Sequence, residues 1–104
     1  MARVPGMKTA AKPTFTLLKF TARWCPPCKE MERSRLLEAF VERHPEVELE
    51  KVDIDRDGAR ADAYAIRAVP TLVILGADGE ELARGHPATA AGVERLFTLA
   101  RSRA

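Results

Sequence analysis

The sequence predicts an α/β fold, with a mixed central sheet of about four strands and helices on both faces. Three observations carry this. Two β-rich runs, Phe15–Phe20 and Val47–Ile54, are separated by one long helical stretch, so as neighbours in a sheet they must run parallel. Two later β-rich runs flank Ala77-Asp78-Gly79, a hairpin turn signal, and so run antiparallel. A short helical stretch lies between the two pairs and another closes the chain, giving the order β-α-β-α-β-β-α.

Taken in order, residues 1–13 contain Pro5, Gly6 and Pro13 and lack periodicity, so they are expected to be irregular, with at most a short edge strand near Ala2–Val4. Phe15–Phe20 is apolar on both parities, as a central strand covered on both faces should be, with Lys19 the exception. Pro26 to about His44 reads as helix. Its two prolines stand in the first turn, where missing N–H groups cost least, and Leu36/Phe40 and Leu37/Val41 are i, i+4 apolar pairs. Ser34–Arg35 interrupts the apolar face and predicts a kink or break, and Pro45 closes the segment. Val47–Ile54 alternates and turns apolar at Val52 and Ile54, as a strand entering the core does. Gly58–Ile66 is a short helix with Asp57 as N-cap, packing through Ala61, Tyr64 and Ala65. Thr71–Leu75 and Glu80–Arg84 are the hairpin strands, and Thr89 to about Arg101 is the last helix, apolar at Val93, Leu96, Phe97 and Ala100.

The bulk numbers bound the function. A chain of 104 residues predicts a single domain over 1–104, large enough to fold without a staple. Its 17 Lys and Arg are nearly matched by 15 Asp and Glu and are scattered among them, which argues against a nucleic-acid or membrane-surface role. No run is apolar enough for membrane insertion, and the first residues lack the apolar stretch of a signal peptide, so the expected location is the cytoplasm.

The chain has two cysteines, Cys25 and Cys28, and a bridge across two residues constrains the unfolded chain very little. Reactivity or metal binding is the better reason for the pair. Trp24-Cys25-Pro26-Pro27-Cys28-Lys29 lies beyond a strand and opens a helix, which brings both sulfurs to one helix end: one can attack a disulfide and the other resolve the mixed disulfide. Cys25 falls at the N-cap, where the helix dipole favours a thiolate. Because Pro26 and Pro27 carry no N–H, the first helix donor open to its sulfur is that of Cys28; Lys29 and Arg23 offset part of that loss by charge. The plainer alternative is a buried structural couple or half a zinc site. Zinc requires two more ligands, and His44 and His86 stand at no zinc-finger spacing, so they are expected to be exposed polar residues and no metal is expected. Trp24 is read as a wall that shields the sulfurs and contacts substrate. Ala68-Val69-Pro70-Thr71 precedes a strand, where a proline is permitted; whether the Val69–Pro70 bond is cis cannot be read from spacing.

Together Phe20-Thr21-Ala22-Arg23-Trp24-Cys25-Pro26-Pro27-Cys28-Lys29, Val52-Asp53-Ile54-Asp55, Tyr64-Ala65-Ile66-Arg67-Ala68-Val69-Pro70-Thr71-Leu72 and Asp78-Gly79-Glu80 resemble the thioredoxin family over about Phe15 to Phe97. The resemblance implies the thioredoxin fold, Cys25 as the exposed attacking nucleophile and Cys28 as the buried resolving thiol. It also implies a cis Pro70 facing the disulfide, with Val69 backbone groups pairing with an extended substrate. Trp24, Pro26, Val69, Pro70 and Gly85 are then the substrate-contacting set, Gly85 matching the family's glycine after the hairpin strand. Lys19, Lys29 and Lys51 are the cations expected to tune the cysteine pKa values.

There are four departures from the family pattern. Lys19 stands where the family has a buried Asp; if buried it should lose its proton or find a carboxylate such as Glu48 or Glu50, and otherwise it snorkels past the sheet edge. The turn is C-P-P-C rather than C-G-P-C. The family's mid-helix proline is absent, and Cys28-Lys29-Glu30-Met31-Glu32 resembles domains that relay electrons from membrane reductases. The N-terminus is abbreviated. The expected function is a thiol–disulfide oxidoreductase cycling Cys25–Cys28 as a monomer, with no cofactor beyond that pair. It would act on protein disulfides and be re-reduced by a thioredoxin-reductase-like flavoprotein or another thiol carrier. The alternative is a binding or electron-relay module with a dedicated partner and little general reductase activity.

Overall fold

A computed structural model describes residues 14–104; the irregular segment and edge strand expected over residues 1–13 lie outside the described residues. The elements are β1 (Phe15–Thr21), α1 (Pro26–Ser34), α2 (Leu36–Arg43), β2 (Val47–Asp53), α3 (Gly58–Ala63), β3 (Thr71–Leu75), β4 (Glu81–Gly85) and α4 (Ala90–Ser102). The sheet order is β2-β1-β3-β4, with β1 and β2 parallel and β3 antiparallel to both β1 and β4. The expected mixed sheet of four strands is present, and β1 and β3 occupy its centre. That is why both parities of these two strands are apolar: each side chain meets a helix whichever way it points.

One face is covered by α1, α2 and α4. Leu17, Leu72 and Ile74 from the sheet meet Met31, Leu37, Phe40, Val93 and Phe97 there. Phe97 packs edge-on to Phe15 and Phe40, with ring centroids 5.1 and 5.4 Å apart. His44 leans on the same cluster, 4.5 Å from Phe40 and 4.8 Å from Phe97, and its Nε2 lies 2.9 Å from Glu94. The expectation that both histidines are exposed therefore fails for His44, because two aromatic rings and a carboxylate hold it half-buried; His86 is exposed. The other face carries Leu18, Phe20, Val52 and Val73 under Ile54, Tyr64, Ile66 and Val69.

The long helix breaks at Arg35, the residue after the interrupted apolar face, which takes a left-handed conformation (φ 56°) between α1 and α2. The third helix stops at Ala63 rather than Ile66, because Ala65 also turns left-handed (φ 54°). Asp57 caps α3 through the N–H of Arg60, and Thr89 caps α4 through that of Gly92.

Candidate functional site

Cys25 is the N-cap of α1, and its backbone is extended (φ −98°, ψ 109°). Pro26 and Pro27 fill the first two helical positions and have no N–H to offer. The Cys25 sulfur instead accepts the N–H of Cys28 at 3.2 Å, the first donor in the helix. Cys25 and Cys28 are joined as a disulfide, with α-carbons 5.3 Å apart. From the other side comes the loop before β3. The Val69–Pro70 peptide is cis, and the Val69 carbonyl oxygen lies 3.6 Å from Cys25 Sγ.

Both cysteines are buried, Cys25 with 2% of its surface exposed and Cys28 with 1%. The expectation of an exposed Cys25 is thus corrected for the disulfide form. Ala22, Ile54 and Val69 pack on the pair, while the neighbouring Arg23, Trp24, Pro26 and Pro27 are all exposed.

Two clefts flank the pair. One, of about 360 Å³, runs between α1 and the β4–α4 loop and is lined by Pro27, Glu30, Met31, Val69, Pro70 and His86, among others. Gly85 does not line it; the space beside its α-carbon is taken by Leu96 and Pro87, and the next residue, His86, reaches the groove instead. His86 Nδ1 lies 3.0 Å from the Pro70 carbonyl oxygen and donates to it in the matching tautomer. Pro26 stays outside the groove and its neighbour Pro27 lines it.

The other cleft, of about 780 Å³, opens on the Cys28 side and is lined by Trp24, Cys28, Lys29, Glu32, Asp53 and Asp55, among others. Trp24 is 63% exposed, and its indole N–H donates to Asp55 at 2.9 Å, which fixes the ring as one wall of this cleft.

Lys19 is buried, with 1% of its surface exposed. It does not snorkel, because β1 lies inside the sheet and offers no edge to pass. Its ammonium donates to the Cys28 carbonyl oxygen at 3.4 Å and lies 3.7 Å from Glu32. The expected partners Glu48 and Glu50 are corrected to Glu32. In the parallel register Lys19 stands beside Lys51, so residues 48 and 50 point to the opposite face, where Glu50 pairs with Arg60. Lys51 donates to Glu32 at 3.0 Å and pairs with Glu38 at 2.8 Å. Burial pushes the Lys19 amine below its ordinary pKa of 10.5, against the pull of Glu32. The hydrogen bond from Lys51 and the charge of Lys19 hold the Glu32 carboxyl below its usual range, and Glu38 and Glu32 raise Lys51.

The Thioredoxin family model matches residues 7–96. The chain belongs to the thioredoxin family. It is 40% identical over 70 residues to a thioredoxin of Chlamydia trachomatis, covering 67% of this chain and 66% of that protein, a little under two thirds of it. It is 31% identical over 87 residues to thioredoxin-1 of Saccharomyces cerevisiae, covering 84% and 82%. Among solved structures it is similar to Fasciola hepatica thioredoxin, with TM-score 0.73 and 33% identity over 84% of this chain and 81% of that one.

Within the thioredoxin fold, then, the structure gathers Cys25, Cys28, Val69 and Pro70 at one point, with Trp24 and Lys29 on the cleft beside them. Lys51 reaches the pair only through Glu32. Sequence reading missed Glu32, Asp55 and His86. Glu32 had a usable signal, since it stands four residues after Cys28, one helical turn on. Among the described residues no cluster of three or more His, Cys, Asp or Glu is placed to hold a metal ion, and no helix is long and apolar enough to cross a membrane.

Proposed function

We propose that this protein is a thiol–disulfide oxidoreductase that reduces protein disulfides by cycling Cys25–Cys28. The observation that supports it most is the disulfide itself, formed at a helix N-terminus with Cys25 Sγ taking a helix N–H and lying beside the Val69 carbonyl. The helix terminus and its N–H favour that sulfur as thiolate once the bridge is reduced, and the carbonyl marks where substrate backbone can pair. Cys25 thiolate attacks one sulfur of a substrate disulfide, and the other leaves with the electron pair and takes up a proton. Cys28, deprotonated, then attacks Cys25 Sγ, releases the second substrate thiol and restores the bridge, so that two electrons pass to the substrate.

An extended substrate segment lies along Val69, pairing with its backbone, and Pro70, His86 and Trp24 flank it. Protein disulfides are the substrate class, and a thioredoxin-reductase-like flavoprotein or another thiol carrier re-reduces the bridge. No cofactor beyond the two cysteines takes part. The thioredoxin-like domain works as a monomer, in the cytoplasm, whose poise keeps the pair reduced.

Reduction of insulin disulfides in the presence of dithiothreitol tests this. The intact chain is expected to speed precipitation of the freed chains well above the reagent alone, and Cys25→Ser to return it to background. Equal rates for the two proteins would refute the reading.

A further inference from the structure

Among the described residues Lys19 is the only charged side chain that is buried, and disulfide exchange as set out above gives it nothing to do. It rises from the middle of β1 on the face that α1 covers, and its ammonium ends under the second cysteine, at the Cys28 carbonyl. The charged groups facing it are Glu32 from α1, Lys51 from β2 and Glu38 from α2. These four form a chain of alternating sign, Lys19–Glu32–Lys51–Glu38, whose closed end is a cation and whose carboxylates lie outward, Glu32 with half its side chain in solvent. The end nearest the cysteines is therefore positive. Packing alone does not require it, since an apolar side chain of similar length fills such a site at lower desolvation cost.

We infer that Lys19 is a positioning residue for the dithiol: its ammonium, held beneath Cys28 by the Cys28 carbonyl and Glu32, favours thiolate over thiol in the reduced pair. The inference rests on the oxidoreductase reading and goes beyond it by naming what governs protonation of the pair. Its step is the second one. In the mixed disulfide, Cys28 gives its proton to solvent and its sulfur attacks Cys25 Sγ. The Cys25–Cys28 bond forms, the bond from Cys25 to the substrate sulfur breaks, and that sulfur leaves with the electron pair and takes a proton from solvent. Lys19 makes and breaks no bond; it lowers the cost of the anion. An ionised acid at this place would act in the opposite sense. Because a thiolate belongs only to the reduced form, the same ammonium makes the pair easier to reduce.

The test is a pH titration of thiolate absorbance in the reduced full chain, with equilibration against glutathione redox buffers, for the parent, Lys19→Met and Glu32→Gln. In Lys19→Met the lower thiolate midpoint is expected to rise by about one pH unit, roughly a tenfold loss of thiolate below it, with a similar shift of the equilibrium toward the disulfide. In Glu32→Gln, which strips the offsetting carboxylate while Lys51 keeps Glu38, the midpoint should move down. Unchanged midpoints in both variants, or movement in the same direction, overturn the assignment. Should Lys19→Met fail to fold, Glu32→Gln decides alone: a midpoint that stays or rises overturns it. The titration needs no substrate, so a parent protein that fails to reduce insulin counts against the oxidoreductase reading and leaves this result standing.

Discussion

Cys25 and Cys28 are bonded to each other, yet they face opposite kinds of surroundings. On the Cys25 side lie a backbone carbonyl, a proline and the apolar wall of a groove, with His86 and Glu30 among its lining. On the Cys28 side lies a buried ammonium within a ladder of four charges. The difference shows how a helix terminus can treat two nearby groups separately. The N-cap residue lies at the helix end against the loop before β3, which covers it. The third helical residue already points down at the sheet, toward whatever the central strand carries. One sulfur is held against the loop before β3, and the other stands over a buried cation.

The sharpest test of that contrast is charge reversal at two acids on the same helix. Glu32→Lys leaves Lys19 buried without its counter-ion and adds a third cation, and should cost about 3 kcal/mol of stability in urea denaturation. Glu30→Lys, two residues away on the groove side, disturbs an exposed pair with Arg33 (both side chains 71% exposed) and should change stability by about 0.5 kcal/mol or less. Equal effects would erase the distinction between the two sides.

A smaller effect of opposite sign is expected for Lys19→Met. Replacing the desolvated ammonium should raise stability by about 1 kcal/mol at neutral pH, since Glu32 keeps Lys51 as a partner. The sign with pH follows from the direction of the Lys19 shift. Its folded pKa lies below 10.5, so between the two values the unfolded chain binds more protons and the parent gains stability as pH rises. The advantage of the Met variant should therefore shrink as pH climbs toward 10.5, measured as the difference in urea midpoint across alkaline buffers. A small effect is expected on the groove side as well. His86→Ala removes the bond to the Pro70 carbonyl, at an exposed position, and should cost about 1 kcal/mol or less in thermal unfolding.

Local signals made much of this legible in the sequence. Alternating and two-faced apolar runs marked the strands, Asp57 and Thr89 marked helix starts, and Pro26-Pro27 led to the correct donor for Cys25, because a missing N–H is a property of the residue itself. What stayed hidden depended on approach from a distance. The burial of Cys25 comes from a loop 44 residues away along the chain. The partner of Lys19 turned on strand register: Glu48 and Glu50 are near in sequence to the right strand position but on the wrong face, whereas Glu32 sat in view one turn beyond Cys28. The exchange of Gly85 for His86 at the groove reflects how β4 ends. Pairing with Leu72 holds Gly85 in the strand and turns its α-carbon toward α4.

The central claim is that the two sulfurs have separate jobs, and trapping tests it most directly. Cys28→Ser, reduced and mixed with a disulfide substrate, should accumulate a mixed disulfide through Cys25, visible as a heavier species that dithiothreitol dissolves, while Cys25→Ser accumulates none. Adducts formed equally by both variants, or by neither, would contradict the account.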